Sequence, residues 1–185
     1  MRFAFFVLGP KMRKSGVMKR KVLLIVTALV LVSGVYAQTG KLPKFGNYPA
    51  AAEKPRVKSV DFRRDPSAST FRTRLTGAFR RGVNFAGHYV LVGWGCGTGC
   101  TNGAIIEARN GRVIWPEQLY NLDATYGDSY SDEQITFRKD SSLVVIHGIP
   151  GTKNETAKAK PSGDYYYEWK NNRFKLLKFV EKRSE

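Results

Sequence analysis

Apolar residues in this chain recur with two periods: a helical one over a short stretch before residue 82, and an alternating one over much of the chain beyond it. Phe71, Leu75, Ala78 and Phe79 recur at the spacing of a single helix face. Asp65 can cap that helix, Pro66 suits its first position, and Gly82 stops it. Arg72, Arg74, Arg80 and Arg81 fall off the apolar stripe, where they face solvent or a partner. Gly77 costs such a helix about 1 kcal/mol relative to Ala, so packing against a sheet is needed to hold it.

Strand signals begin near Ala86. Residues 88–94 are apolar on both faces, the pattern of a strand central in its sheet. Residues 104–109 and 112–115 read as a hairpin, with Asn110-Gly111 suited to a type I′ turn and Pro116 ending the second strand. Two more hairpins are predicted, 134–138 with 143–147, and 165–170 with 173–180 across Asn171-Asn172. Residues 117–133 read as an irregular connection, and residues 150–163 as a polar loop whose length makes it mobile or functional. The expected fold class is therefore α+β, an N-terminal amphipathic helix followed by a mostly antiparallel meander sheet of about seven strands, open or partly closed into a barrel.

The N-terminus carries a different pattern. Lys19, Arg20 and Lys21 precede an apolar run over residues 22–32, and Ser33-Gly34-Val35-Tyr36-Ala37 comes next. Cationic, apolar and small-residue segments in that order make a secretory signal, with cleavage expected after Ala37. A spanning helix needs about 20 apolar residues, and this run reaches Gly34 first, so no transmembrane segment is expected in the mature chain. Met18 would begin a normal signal by itself, leaving Met1, Met12 and Met18 as alternative starts. Residues 1–37 are thus read as extension and signal peptide, 38–60 as a Pro- and Gly-rich lead-in, extended and partly mobile, and 61–185 as a single β-rich domain. The product is expected to be periplasmic or secreted.

Composition adds a core and a charge. Of 185 residues 42% are hydrophobic and 12% aromatic, enough to exclude wholesale disorder. The net charge is +16, and seven of the 31 basic residues would leave with the signal. Residues 38–81 hold 11 basic against 3 acidic residues and 170–185 hold 6 against 2, whereas 82–169 hold 7 against 10. Basic ends can draw an anionic polymer, a lipid surface or a protein partner, although solubility alone accounts for such a balance. Arg173 and Lys175 extend the candidate surface of the helix arginines, and export makes nucleic acid an unexpected partner.

Both cysteines of the chain sit in Trp94-Gly95-Cys96-Gly97-Thr98-Gly99-Cys100. An extended strand would hold them roughly 13 Å apart, whereas a disulfide needs Cα atoms within about 7 Å, so the chain must fold back there. In an oxidising compartment Cys96 and Cys100 are expected to pair. Gly95, Gly97, Thr98 and Gly99 then form either a purely structural turn or a nest of backbone N–H groups for an anion. Redox catalysis and zinc fit poorly, because the spacing is not that of a thioredoxin-like motif and His88 and His147 lack finger-type spacing. No metal and no cofactor are expected.

His88 is in phase with Val90, Val92 and Trp94, and reads as a core histidine or as a general base paired with Glu107 or an acid of residues 123–133. No nucleophile motif accompanies it. Asp123, Asp128 and Asp132 match no calcium loop. Tyr165, Tyr167 and Trp169 share a strand face, as core or as an aromatic platform.

Asn84-Phe85-Ala86-Gly87-His88-Tyr89, the cysteine loop and the Gly111-Arg112-Val113 turn together resemble a family of small uncharacterised bacterial secreted proteins, loosely over residues 71–180. Glu107 departs mildly from the Asp more usual there. The resemblance implies a bacterial envelope location and a shared structural loop, and brings no activity or catalytic residues. The expected function is a non-catalytic envelope binding or structural protein, with a hydrolase or transferase using His88 as the alternative.

Overall fold

A computed structural model describes residues 40–123, 125–126, 129–130, 134–152 and 160–182, with 125–126 and 129–130 by backbone alone. The expected signal peptide, Asp128, Asp132, Glu133 and residues 153–159 of the long loop lie outside the described residues. No described helix is long and apolar enough to cross a membrane.

The predicted helix opens as a 3₁₀ segment, Pro66–Phe71, and continues as α1 (Arg72–Arg81). Asp65 caps the first turn by accepting from the Ser67 N–H at 3.1 Å, and Gly82 ends α1 at φ 91°. Leu75, Ala78 and Phe79 are buried beneath it.

The strands are β1 (Tyr89–Gly97), β2 (Cys100–Glu107), β3 (Val113–Ile114), β4 (Leu122–Asp123), β5 (Thr125–Tyr126), β6 (Ser129–Tyr130), β7 (Ile135–Phe137), β8 (Leu143–Gly148), β9 (Gly163–Lys170) and β10 (Arg173–Glu181). They do not make the single meander sheet expected from their order. One four-stranded antiparallel sheet runs β1-β2-β3 with β4 also on β2, a second runs β10-β9-β8-β7, and β5-β6 is a separate ribbon. Neither sheet closes into a barrel. Short β3 and β4 pair with successive parts of one edge of β2, so the first sheet ends there.

Two cores explain the layering. Val90, Val92, Trp94, Ala104 and Ile106 of the first sheet pack with Leu75, Ala78 and Phe79 of α1. Tyr89, Leu91 and Ile105, alternate residues of the same strands, pack with Val144, Ile146, Tyr165, Tyr167 and Trp169 of the second sheet. The first sheet is therefore the middle layer, between α1 and the second sheet. This corrects the reading of β1 as central within its sheet: it is an edge by hydrogen bonding and apolar on both faces because both faces are covered.

Two turns exchange roles with expectation. At Asn110-Gly111 only the glycine takes a positive φ, 78°, and a four-residue loop over 108–111 is closed by the Arg112 carbonyl accepting from the Glu107 N–H at 2.9 Å. The type I′ conformation occurs instead at Asn171-Asn172, where φ is 52° and 58°. The described part of the lead-in holds a 3₁₀ turn, Phe45–Asn47, and is tied down along its length. The N–H groups of Ala50, Glu53, Arg56 and Asp61 donate to the carbonyls of Asp140, Gly87, Ala108 and Gly111 at 2.7–2.9 Å.

Gly87 takes φ 78°, and a Cβ there would lie 2.2 Å from the Ala51 carbonyl oxygen. Gly87→Ala should therefore destabilise by more than about 1 kcal/mol and release the lead-in to protease. Ile105→Ala, at a fully buried position of the middle layer, should cost about 2–5 kcal/mol in urea unfolding.

Candidate functional site

The cysteine loop is the tip of the β1–β2 hairpin. Gly97 pairs with Cys100, leaving Thr98-Gly99 as the turn, and the register shifts at Cys96 between Gly95 and Gly97. Cys96 and Cys100 form a disulfide with Cα atoms 5.2 Å apart. Gly97 and Gly99 adopt φ 151° and 70°, conformations that side chains disfavour. Gly95, Gly97 and Thr98 are exposed, while Gly99 is buried. The tip projects beyond the last buried residue of β1, Trp94.

His88 lies just before β1 in the tight loop that the N-F-A-G-H-Y segment makes. Asn84 holds the ends of this loop together: its side chain accepts from the Leu91 N–H at 2.8 Å and donates to the Leu91 carbonyl at 2.9 Å. Phe85 is fully buried, and the N–H groups of Ala86 and Gly87 donate to the carbonyls of Arg138 and Lys139. The carboxylate closest to His88 is Glu53 of the lead-in, 3.9 Å from Nδ1. Glu53 in turn accepts from two Arg109 nitrogens, Nε at 3.1 Å, and from Arg56 at 3.1 Å.

Arg109's hydrogen bond, aided by Arg56 and opposed by partial burial, pulls the Glu53 pKa down from 4.5 to about 2. Burial, then the Arg109 cation, pushes His88 down, against the pull of Glu53 and Glu107. Both effects favour the neutral imidazole. No hydroxyl or thiol is hydrogen-bonded to it among the described residues, and Glu53 joins the lead-in to His88 and to Arg109 in the β2–β3 loop.

The six basic side chains of the expected surface are all exposed. They do not share one surface, since α1 and the second sheet occupy opposite outer layers. Arg72 lies over the Phe62 ring at 4.1 Å and donates to Ser69. Ion pairs among the described residues engage Arg56, Arg63, Arg64, Arg109 and Lys182, and none of Arg72, Arg74, Arg80, Arg81, Arg173 or Lys175. Tyr165, Tyr167 and Trp169 are core rather than platform, each 5% exposed or less.

No family model, curated protein or solved structure matches the chain. Geometry alone speaks for its sites.

Two arrangements escaped the sequence. The first is a cross-strand array in the second sheet: Thr136 Oγ1 lies 2.9 Å from His147 Nε2, His147 Nδ1 lies 2.7 Å from Asp164 Oδ1, and Lys182 Nζ lies 3.0 Å from Asp164 Oδ2. His147 and Asp164 are direct register partners, so a correct alignment of the predicted hairpins would have found them. The second is a cleft of about 360 Å³ on the helix side of the first sheet, floored by Phe71, Trp94 and Trp115. Its residues come from four segments, 67–71, Trp94, 102–103 and 115–120, whose meeting no local pattern announces. Among the described residues, no group of three or more His, Cys, Asp or Glu could hold a metal.

Replacing both cysteines by Ser should lower stability by about 2 kcal/mol or less, since the closed ring is short, and leave the fold intact by circular dichroism. A depressed carboxylate favours the folded state above its unfolded pKa. The stability that Glu53 supplies is therefore full above about pH 4.5 and lost as pH falls toward 2. The melting temperature difference between the native chain and Glu53→Gln should be largest above pH 4.5 and shrink below it.

Proposed function

We propose that this chain is a non-catalytic binding protein of the cell envelope, taking an anionic partner on the arginine face of α1. The observation that carries this reading is selective pairing. Arg56, Arg63, Arg64 and Arg109 are matched to Glu53 or Asp61, whereas Arg74, Arg80 and Arg81 stand exposed on one short helix without a carboxylate among the described residues. Unmatched like charges on one short helix repel one another, and a polyanion relieves that repulsion. The envelope location rests on the leader-like N-terminus and on a disulfide, which lasts in oxidising compartments.

A second reading, an envelope hydrolase or transferase, finds its support at Thr136, His147 and Asp164 rather than at His88. A hydroxyl, an imidazole and a carboxylate in line can carry acyl transfer. The Thr136 oxygen would attack the carbonyl of an ester or amide, its proton passing to His147 Nε2 and from there to the departing alcohol or amine as the old acyl bond breaks, with Asp164 holding Nδ1–H.

Binding of the mature protein to isolated envelope fractions should weaken steeply as salt rises, and the triple variant Arg74→Gln, Arg80→Gln, Arg81→Gln should lose most of it without change in melting temperature. Absence of binding at low salt would overturn the first reading. Covalent labelling of Thr136 by an organophosphorus ester probe, lost in His147→Gln, would favour the second.

A further inference from the structure

Three large aromatic rings of the cleft lining pack on one another. Phe71 packs on Trp94 with ring centroids 4.8 Å apart and on Trp115 at 5.7 Å, and Trp94 meets Trp115 edge-on at 6.1 Å. Trp115 spends its only hydrogen-bonding group on Asp65, to which its Nε1–H donates. What the indole leaves to the cleft is ring.

The rim is polar and uncharged. Thr70, Asn102 and Tyr120 border the opening, and none of the residues lining the cleft is charged. Asn102 uses its oxygen to accept from the Asn121 N–H at 2.7 Å, which leaves its amide hydrogens available. Among the described residues no protein hydrogen bond engages Thr70 Oγ1 or the Tyr120 hydroxyl, and Tyr120 is one of few large apolar side chains left exposed, at 48%. A volume of about 360 Å³ falls in the range of small-molecule sites, about 300–1,000 Å³, which are apolar with a few placed polar groups.

We propose that this cleft is a sugar subsite, taking one or two neutral pyranose rings of a glycan. A pyranose has an apolar face of ring C–H groups, which suits an aromatic floor, and equatorial hydroxyls at its edge, which suit an amide and hydroxyl rim. A charged ligand would find no lining group to pair with, and a purely apolar one would leave three polar side chains desolvated without partners. The site goes beyond the arginine face proposed above: it is chemically independent of that face, and salt separates the two.

The test is a titration of the ¹⁵N-labelled mature protein with neutral probes, cellotetraose and a chitin tetramer, followed at the Trp115 indole resonance. Saturable shifts that persist between roughly 0.05 and 0.5 M salt are expected, because no ion pair is formed. Tyr120→Ala and Thr70→Ala, both at exposed positions, should keep the fold and weaken binding about three- to tenfold. No saturable shift with either sugar would overturn the proposal, as would affinity unchanged in both variants. Binding that disappears at high salt would also overturn it, by placing the contact on the arginines. Sugar shifts that stay intact in the triple arginine variant would support the cleft as a site separate from that face, and absence of envelope binding by the native protein with sugar shifts intact would overturn the arginine reading alone.

Discussion

Burial of both faces of the β1–β2 ribbon is the constraint on which the rest depends. A ribbon with Val90, Val92 and Trp94 on one side and Tyr89, Leu91 and Ile105 on the other cannot meet water on either. One side takes α1, whose Gly77 and short length make it too weak to stand alone. The other takes the four-stranded sheet, with its row of Tyr165, Tyr167 and Trp169. A barrel would have provided one interior, whereas this chain needs two.

The N-F-A-G-H-Y loop then holds the layers in register from one end. Its buried Phe85 packs with the second sheet, its Ala86 and Gly87 N–H groups bond to the turn before β8, and its Gly87 carbonyl receives the lead-in. Backbone passes so close to backbone that no side chain fits at Gly87. The role of His88 comes from that crossing. Drawn beside Glu53 and Arg109, it sits where chain segments are joined, and its neutral form suits a partly buried joint.

Much of this was legible in the sequence, and the misreadings share a cause. The helix, its Asp65 cap and its Gly82 stop are local signals, and they hold. The hairpins of the second sheet hold for the same reason. Two-sided apolarity in residues 88–94 was visible, but a strand in a middle layer and a strand central in a sheet share that pattern, and only the second sheet's position separates them. Asn110-Gly111 permits a type I′ turn, yet Asp61 and Ser59 crowd Gly111 and the longer loop meets the lead-in. The Glu53 partner of His88 lies 35 positions upstream in a segment without period, and tertiary contact alone brings it in.

The unequal lengths of helix and ribbon account for where a binding site can form. α1 has ten residues and spans about 15 Å, whereas the nine residues of β1 span about 30 Å. The helix therefore covers only part of the ribbon, and the 3₁₀ segment Pro66–Phe71 and residues 115–120 close the rest around the cleft. Phe71, Trp94 and Trp115 are the large rings that do so, and they fill the gap incompletely, leaving the cleft. A hairpin kept long, and fastened at its tip by Cys96 and Cys100, is thus what maintains an aromatic surface beside the exposed arginines of α1.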